Sequence, residues 1–181
     1  MSRVRRLASV YAQYIEIPWQ QNAAAAQRVL FCIYPEEDEL RLRANLGEFE
    51  VLTRQAGYSW LLYDLTDSFA AWLATQRRYA TRYFVDPAPL VTLMPNYRAH
   101  IRHDFARAVQ GAGADTVVAV QGAGALYGFL KVREVVDDMA PLVAGRLLVF
   151  FPGTYENNNY RLLDAYDGWN YLAVPMTADQ E

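Results

Sequence analysis

Apolar residues fall along the chain either in short unbroken runs or at steps of three and four, and the two patterns predict alternating strands and helices. Residues 3–16 place Val4, Leu7, Tyr11 and Ile15 on one side of a helix that Pro18 stops. PWQQNAAAAQ reads as a linker, so residues 1–27 form an N-terminal helix and linker. Arg28–Tyr34 (RVLFCIY) is an apolar run of strand length, ended by Pro35. Glu36–Asp38 opens a helix, where acidic groups suit the positive end of the dipole. Leu42, Leu46, Phe49, Leu52 and Ala56 mark its inner stripe, and Gly57 is its stop. Tyr58–Leu65 is a second strand, and Thr66 or Asp67 caps the helix after it. Phe69, Trp72, Leu73, Gln76, Ala80 and Tyr83 follow the inner face of that helix until VDPAPL breaks it. Asn96 caps a further helix with Tyr97, Ile101, Phe105 and Ala108 inward, ending near Gly111–Gly113.

The stretch Asp115–Asp138 organises the rest. Thr116–Val120 is β-branched and apolar, as in a strand covered on both faces. Gln121 ends the run, and Gly122 and Gly124 allow a tight turn or a close approach. Phe129, Val132, Val136, Met139 and Val143 then line a helix face that Pro141 and Gly145 close. Leu147–Phe151 is a fourth strand and PGTYENNN a polar loop. In the tail, Asp167–Gly168 lies between two half-apolar runs and signals a hairpin leading to an edge strand. The predicted order is α-β-α-β-α-α-β-α-β-β-β. It implies an α/β fold: one Rossmann-like three-layer domain spanning residues 1–181, with a mainly parallel sheet, helices on both faces and a C-terminal antiparallel hairpin at the edge.

Composition narrows the function. The chain has 181 residues, 53% hydrophobic, which suits one packed domain. Its net charge of −3 argues against direct nucleic-acid binding, although Arg77, Arg78 and Arg82 make a local basic stripe. Cys32 is the single cysteine, so neither an internal disulfide nor a cysteine-based zinc site can form. No apolar segment approaches a membrane span, and the basic start lacks the apolar core of a signal peptide, so a cytoplasmic protein with no membrane association is expected.

Each candidate for chemistry falls short of a full set. QGAGALYG fails the Walker pattern, because Phe129 follows Gly128 where a lysine is required. It fails the dinucleotide fingerprint because Tyr127 stands where a third small residue is needed. A backbone nest for an anion or nucleotide remains open there, with Glu37, Asp64 and Gln121 as the alternative ligand site. The simpler reading of Glu36–Glu39 is helix-start electrostatics, and of Asp64 a cap or turn. His100, His103 and Asp104 share a helix face, but there is no further histidine to complete a metal site, and no metal is expected. Cys32 lies mid-strand as a buried thiol, and Ser9, Ser59 and Ser68 lack the setting of a hydrolase elbow. FFPGTYENNNYR offers Tyr155, Glu156, Asn157 and Arg161, a mixture suited to a protein contact.

The glycine turn and helix at Gly122–Phe129, the strand ending Phe150–Tyr155, the Leu-rich Arg161–Leu163 and Asn170–Tyr171 together resemble BrxB proteins of BREX bacteriophage-defence systems. YPEEDELRLR at Tyr34–Arg43 is similar to the acidic-then-basic helix start of that family, and the resemblance runs from Pro18 onward. Thr154 departs from the acidic residue that the family carries after Pro-Gly, so no carboxylate stands at that position. The resemblance implies a non-catalytic adaptor without cofactor, working beside a methyltransferase, an ATPase and a PglZ-type alkaline-phosphatase-like protein, the last being the expected partner. The expected partner-binding residues are Gly122, Gly124, Tyr127, Tyr155, Glu156, Asn157 and Arg161, with Arg41 or Arg43 nearby.

Overall fold

The computed structural model describes every residue except 21, 170–172 and 181. A parallel sheet forms its centre. The strands are β1 (Val29–Tyr34), β2 (Ser59–Asp64), β3 (Thr116–Gln121), β4 (Arg146–Glu156) and β7 (Val174–Met176), in the order β2-β3-β4-β1-β7. Every neighbouring pair in that path is parallel.

Burial explains why β1 and β3 read as unbroken apolar runs. Along β1, Phe31 and Ile33 enter a cluster with Trp72, Tyr97, Phe105 and Val136. Leu30, Cys32 and Tyr34 point the other way, into a cluster with Leu7, Tyr11 and Phe49. The first cluster is covered by α4 (Ser68–Thr75), α6 (Met94–Ala108) and α7 (Val132–Met139). The second is covered by α1 (Arg3–Glu16) and α3 (Leu46–Gln55), which follows the short α2 (Glu39–Ala44). β2 ends the sheet and is half wet, with Leu62 42% exposed. Each parallel crossover needs a covering element, and these helices supply it.

Several expectations are corrected. The helix expected after β2 breaks at Gln76 into α4 and α5 (Arg77–Ala80). Asn96 lies inside α6 and does not cap it. Asp67 occupies the cap position of α4 without a side-chain bond to it. Phe129 precedes α7: a 3-10 turn at Ala123–Leu126 intervenes, and the Phe129 ring stacks on Phe69 at 4.0 Å.

The largest correction concerns the C-terminal third. PGTYENNN is not a loop, because β4 continues through Pro152 to Glu156. Its second half pairs antiparallel with β5 (Asn159–Leu162), which pairs antiparallel with β6 (Ala165–Trp169). The turns are Asn157–Asn158, both at positive φ, and Leu163–Asp164, with Leu163 at φ 54°. A two-residue turn with both centres at positive φ matches the twist of a hairpin. Asp167–Gly168 lies within β6 and is not the turn. The last strand, β7, joins the edge in parallel with β1 and not as part of an antiparallel hairpin. The family-like Asn170–Tyr171 lies outside the described residues.

Candidate functional site

The carboxyl ends of the parallel strands are the place to look, because loops there can converge on a ligand. At β2 and β3 the Asp64 carboxylate is fully engaged. It accepts from the Thr66 backbone N–H at 2.8 Å, from the Thr66 hydroxyl, and from the Gln121 amide at 2.7 Å. Gly122, at φ +78°, packs on this turn: a Cβ there would lie 2.6 Å from Thr66 N and Oγ1. The glycine is required by its neighbours, Thr66 and Asp64, which leave no room for a side chain. Gly124 is different, since a Cβ there would meet only Pro152 Cγ at 3.5 Å.

Glu37 is held elsewhere. Strands β1 and β2 are three places apart in the sheet, roughly 14 Å at ~4.8 Å per strand. Arg3 of α1 bonds Glu37 at 2.8 Å and Asp38 at 2.7 Å, and Arg41 bonds Asp38 at 2.7 Å. Asp38 is 2% exposed, so this cluster clamps α1 to the start of α2. The hydrogen bond that Arg3 donates to Asp38 raises its guanidinium above the ordinary pKa. The Tyr34 hydroxyl donates to Glu39, which also accepts from Arg43 at 2.6 Å. Burial, reinforced by Glu39, raises the Tyr34 phenol. The alternative set therefore splits: Asp64 and Gln121 meet, and Glu37 does not join them.

Of the expected contact residues, Tyr155, Glu156, Asn157 and Arg161 lie on the antiparallel ribbon of β4, β5 and β6, Gly124 and Tyr127 adjoin it, and Gly122 packs at the Asp64 turn instead. Gly124 lies against Pro152. The Tyr127 hydroxyl donates to Asp164 at 2.6 Å, and Arg161 donates to the Asp164 carbonyl at 2.8 Å. The Asp164 carboxylate raises the Tyr127 phenol above its usual value. Tyr155 is half-buried, with its hydroxyl on Asn158 Oδ1 at 2.8 Å and its ring 4.6 Å from Tyr160. Glu156, Asn157 and Arg161 are exposed. Tyr160 roots the ribbon in the core against Phe31 and Phe151, with centroids 5.3 and 5.9 Å away.

Sequence reasoning missed Asp167. It is 3% exposed and accepts from the backbone N–H groups of Val132 at 2.7 Å and Arg133 at 3.0 Å. It therefore caps α7 from a strand 35 residues further along the chain. No local signal could have found it. Also missed was a cleft of about 260 Å³ where β1 ends, bounded by Arg3, Leu7, Gly153–Glu156 and Thr177–Asp179.

Other candidates carry structural roles. Asp104 bonds Tyr63 and Arg107, and the Arg107 bond holds its carboxyl below the usual range. Among the described residues no group of three or more His, Cys, Asp or Glu could hold a metal. Cys32 is fully buried, which raises its thiol pKa. Among the described residues no helix is long and apolar enough to cross a membrane.

A family model described as BREX protein BrxB matches residues 75–175, more than half of the chain. The match takes in β3, β4, the ribbon and the glycine turn, and is narrower than a resemblance running from Pro18. Neither a curated protein nor a solved structure matches significantly.

Proposed function

Because the chain belongs to the BrxB family of BREX proteins and is thereby a component of a bacteriophage-defence system, we propose that it works there as a non-catalytic adaptor whose partner is the PglZ-type alkaline-phosphatase-like protein. The observation that carries this reading is the ribbon. It holds Tyr155, Glu156, Asn157 and Arg161 on one pre-formed hairpin and joins them to Tyr127 through Asp164. Such a surface offers aromatic, amide and guanidinium groups in a fixed arrangement, which suits a protein partner. The scaffold behind it is read as a single Rossmann-like three-layer domain acting in the cytoplasm, without a cofactor. The alternative of a nucleotide or anion enzyme at Gly122–Gly124 gains nothing from an Asp64 carboxylate already bonded by Thr66 and Gln121, with Glu37 held elsewhere.

Co-purification tests the adaptor reading. The chain should elute with the PglZ-type protein of its own operon at micromolar concentration, and Arg161→Glu with Tyr155→Ala should weaken the pairing. Separate elution of wild type from that protein would refute the assigned partner. A thermal shift with nucleotides and magnesium would favour the enzyme reading, since a ligand at ~100 times its dissociation constant adds ~2.7 kcal/mol.

A further inference from the structure

The cleft above β1 exists because two neighbouring strands end at different heights. β1 stops at Tyr34: Pro35 has no N–H to donate, and a 3-10 turn at Glu36–Asp38 carries the chain away. β4 runs on to Glu156. One edge of this extension is taken by β5. The two-residue turn makes Glu156–Asn159 the closing hydrogen-bonded pair, and Thr154–Arg161 is the next. Pro152 fits the same alternation, its carbonyl accepting from Leu163 N–H at 2.9 Å.

Gly153 and Tyr155 therefore turn their backbone groups to the opposite edge, where β1 has ended. The last parallel rung, Tyr34 to Pro152, uses the Gly153 N–H, because Pro152 has none to offer. The Gly153 carbonyl and both backbone groups of Tyr155 lie beyond the sheet ladder. Folded proteins usually blunt such an edge with lysine or proline. Residues 153–156 (Gly-Thr-Tyr-Glu) contain neither.

Charge defines what could pair here. Arg3, the cation at the cleft, is already bonded by Glu37 and Asp38. Glu156 and Asp179 line the same cleft, are exposed, and have no cationic partner among the described residues. Leu7 and Ile33 give it an apolar floor. At about 260 Å³ it is smaller than the ~300–1,000 Å³ usual for small-molecule sites. Unpaired strand groups, an apolar floor and two free carboxylates are the complement of an extended, basic peptide.

We propose that this cleft is a strand-addition site: an extended segment of a partner protein continues the line of β1, pairs with Gly153 and Tyr155, and sets a lysine or arginine between Glu156 and Asp179. The proposal rests on the adaptor reading and specifies its contact. The full chain is tested against each purified BREX protein of its operon, with affinity and amide hydrogen exchange as readouts. Glu156→Lys and Asp179→Lys alter exposed side chains and each should weaken the complex about tenfold, a modest effect for one interfacial charge pair. Tyr155→Pro, which removes the outward N–H, should do likewise, and the Tyr155 amide, the one outward N–H of residues 153–156, should gain protection in the complex. A complex with unchanged affinity for the doubly reversed variant and no added protection overturns the strand-addition site and leaves the adaptor reading intact. Absence of any complex with wild type overturns both. Self-association that Glu156→Lys abolishes assigns the cleft to a second copy and overturns the proposed partner.

Discussion

Replacing Asp167 by Ala should cost about 2–4 kcal/mol, worked from two hydrogen bonds. The carboxylate accepts from Val132 N–H at 2.7 Å and Arg133 N–H at 3.0 Å at a position 3% exposed. A hydrogen bond to a charged group contributes ~1.5–3 kcal/mol, and loss of a helix cap alone ~0.5–2 kcal/mol. The two bonds share one acceptor and the same helix end, so their values do not add in full. Lys131, which holds the cap position in sequence, supplies no side-chain bond in its place. Asp167→Asn keeps one acceptor oxygen and loses the charge that favours the positive helix end, so it should cost only ~1 kcal/mol.

Urea unfolding followed by circular dichroism measures both costs, with unchanged slope showing that stability alone has moved. For a chain of this length ~1 kcal/mol corresponds to ~2–4 °C, so Asp167→Ala should melt roughly 5–15 °C lower. Amide exchange at Val132 and Arg133 should rise in the Ala variant, because their acceptor is gone. A cost below ~0.5 kcal/mol for Ala, or equal costs for Ala and Asn, would refute the assignment of Asp167 as the cap of α7.

Gly122→Ala should destabilise by about 2–4 kcal/mol: its φ of +78° is costly for alanine, and its Cβ would meet Thr66 N and Oγ1 at 2.6 Å. Gly124→Ala, with only Pro152 Cγ at 3.5 Å, should cost under ~1 kcal/mol, and urea unfolding of the two variants measures the difference. Burial raises the phenol pKa of Tyr11, Tyr34, Tyr63 and Tyr160, so each holds its proton in the folded chain beyond the point at which the unfolded chain loses it. Their contribution is whole below pH ~10 and declines above it by ~1.4 kcal/mol per pH unit for each phenol, and their tyrosinate absorbance should appear only together with unfolding. Titration of that buried fraction in the folded chain would count against it.

What could be read from the sequence followed from local period. β1 and β3 are apolar on both faces because helices cover both, and that leaves an unbroken run of strand length. What could not be read depended on distant partners. Pro152 and Gly153 look like loop punctuation, yet they sit where β4 changes from parallel to antiparallel neighbours. Gly153 is needed because a Cβ would fall 1.9 Å from the Arg161 carbonyl oxygen. Asp167–Gly168 carries the composition of a turn, but Asp167 is claimed by a helix start 35 residues earlier. Phe129 keeps helical spacing with Val132 and still lies before the helix, held by its stack on Phe69. Asn157–Asn158 was the one local clue to the ribbon, since asparagine tolerates the positive φ that such turns demand. Strand order leaves no local mark, and so the meeting of Asp64 with Gln121, and the separation of Glu37 from both, had to come from the structure.

Long-range contacts tie the ribbon to the rest of the fold. Tyr160 enters the core beside Phe31 and Phe151, Asp167 holds α7, and Asp164 holds Tyr127. Each tie reaches back to an element that supports the sheet, so the ribbon's conformation is fixed before any partner arrives. A loop that ordered on contact would lose affinity to the entropy of that ordering, and a hairpin already ordered does not. The same economy explains the short β1. Had that strand run as far as β4, the backbone of Gly153 and Tyr155 would be paired within the chain. Pro35 ends β1 one residue after Tyr34, and the edge of β4 is left available to an outside strand.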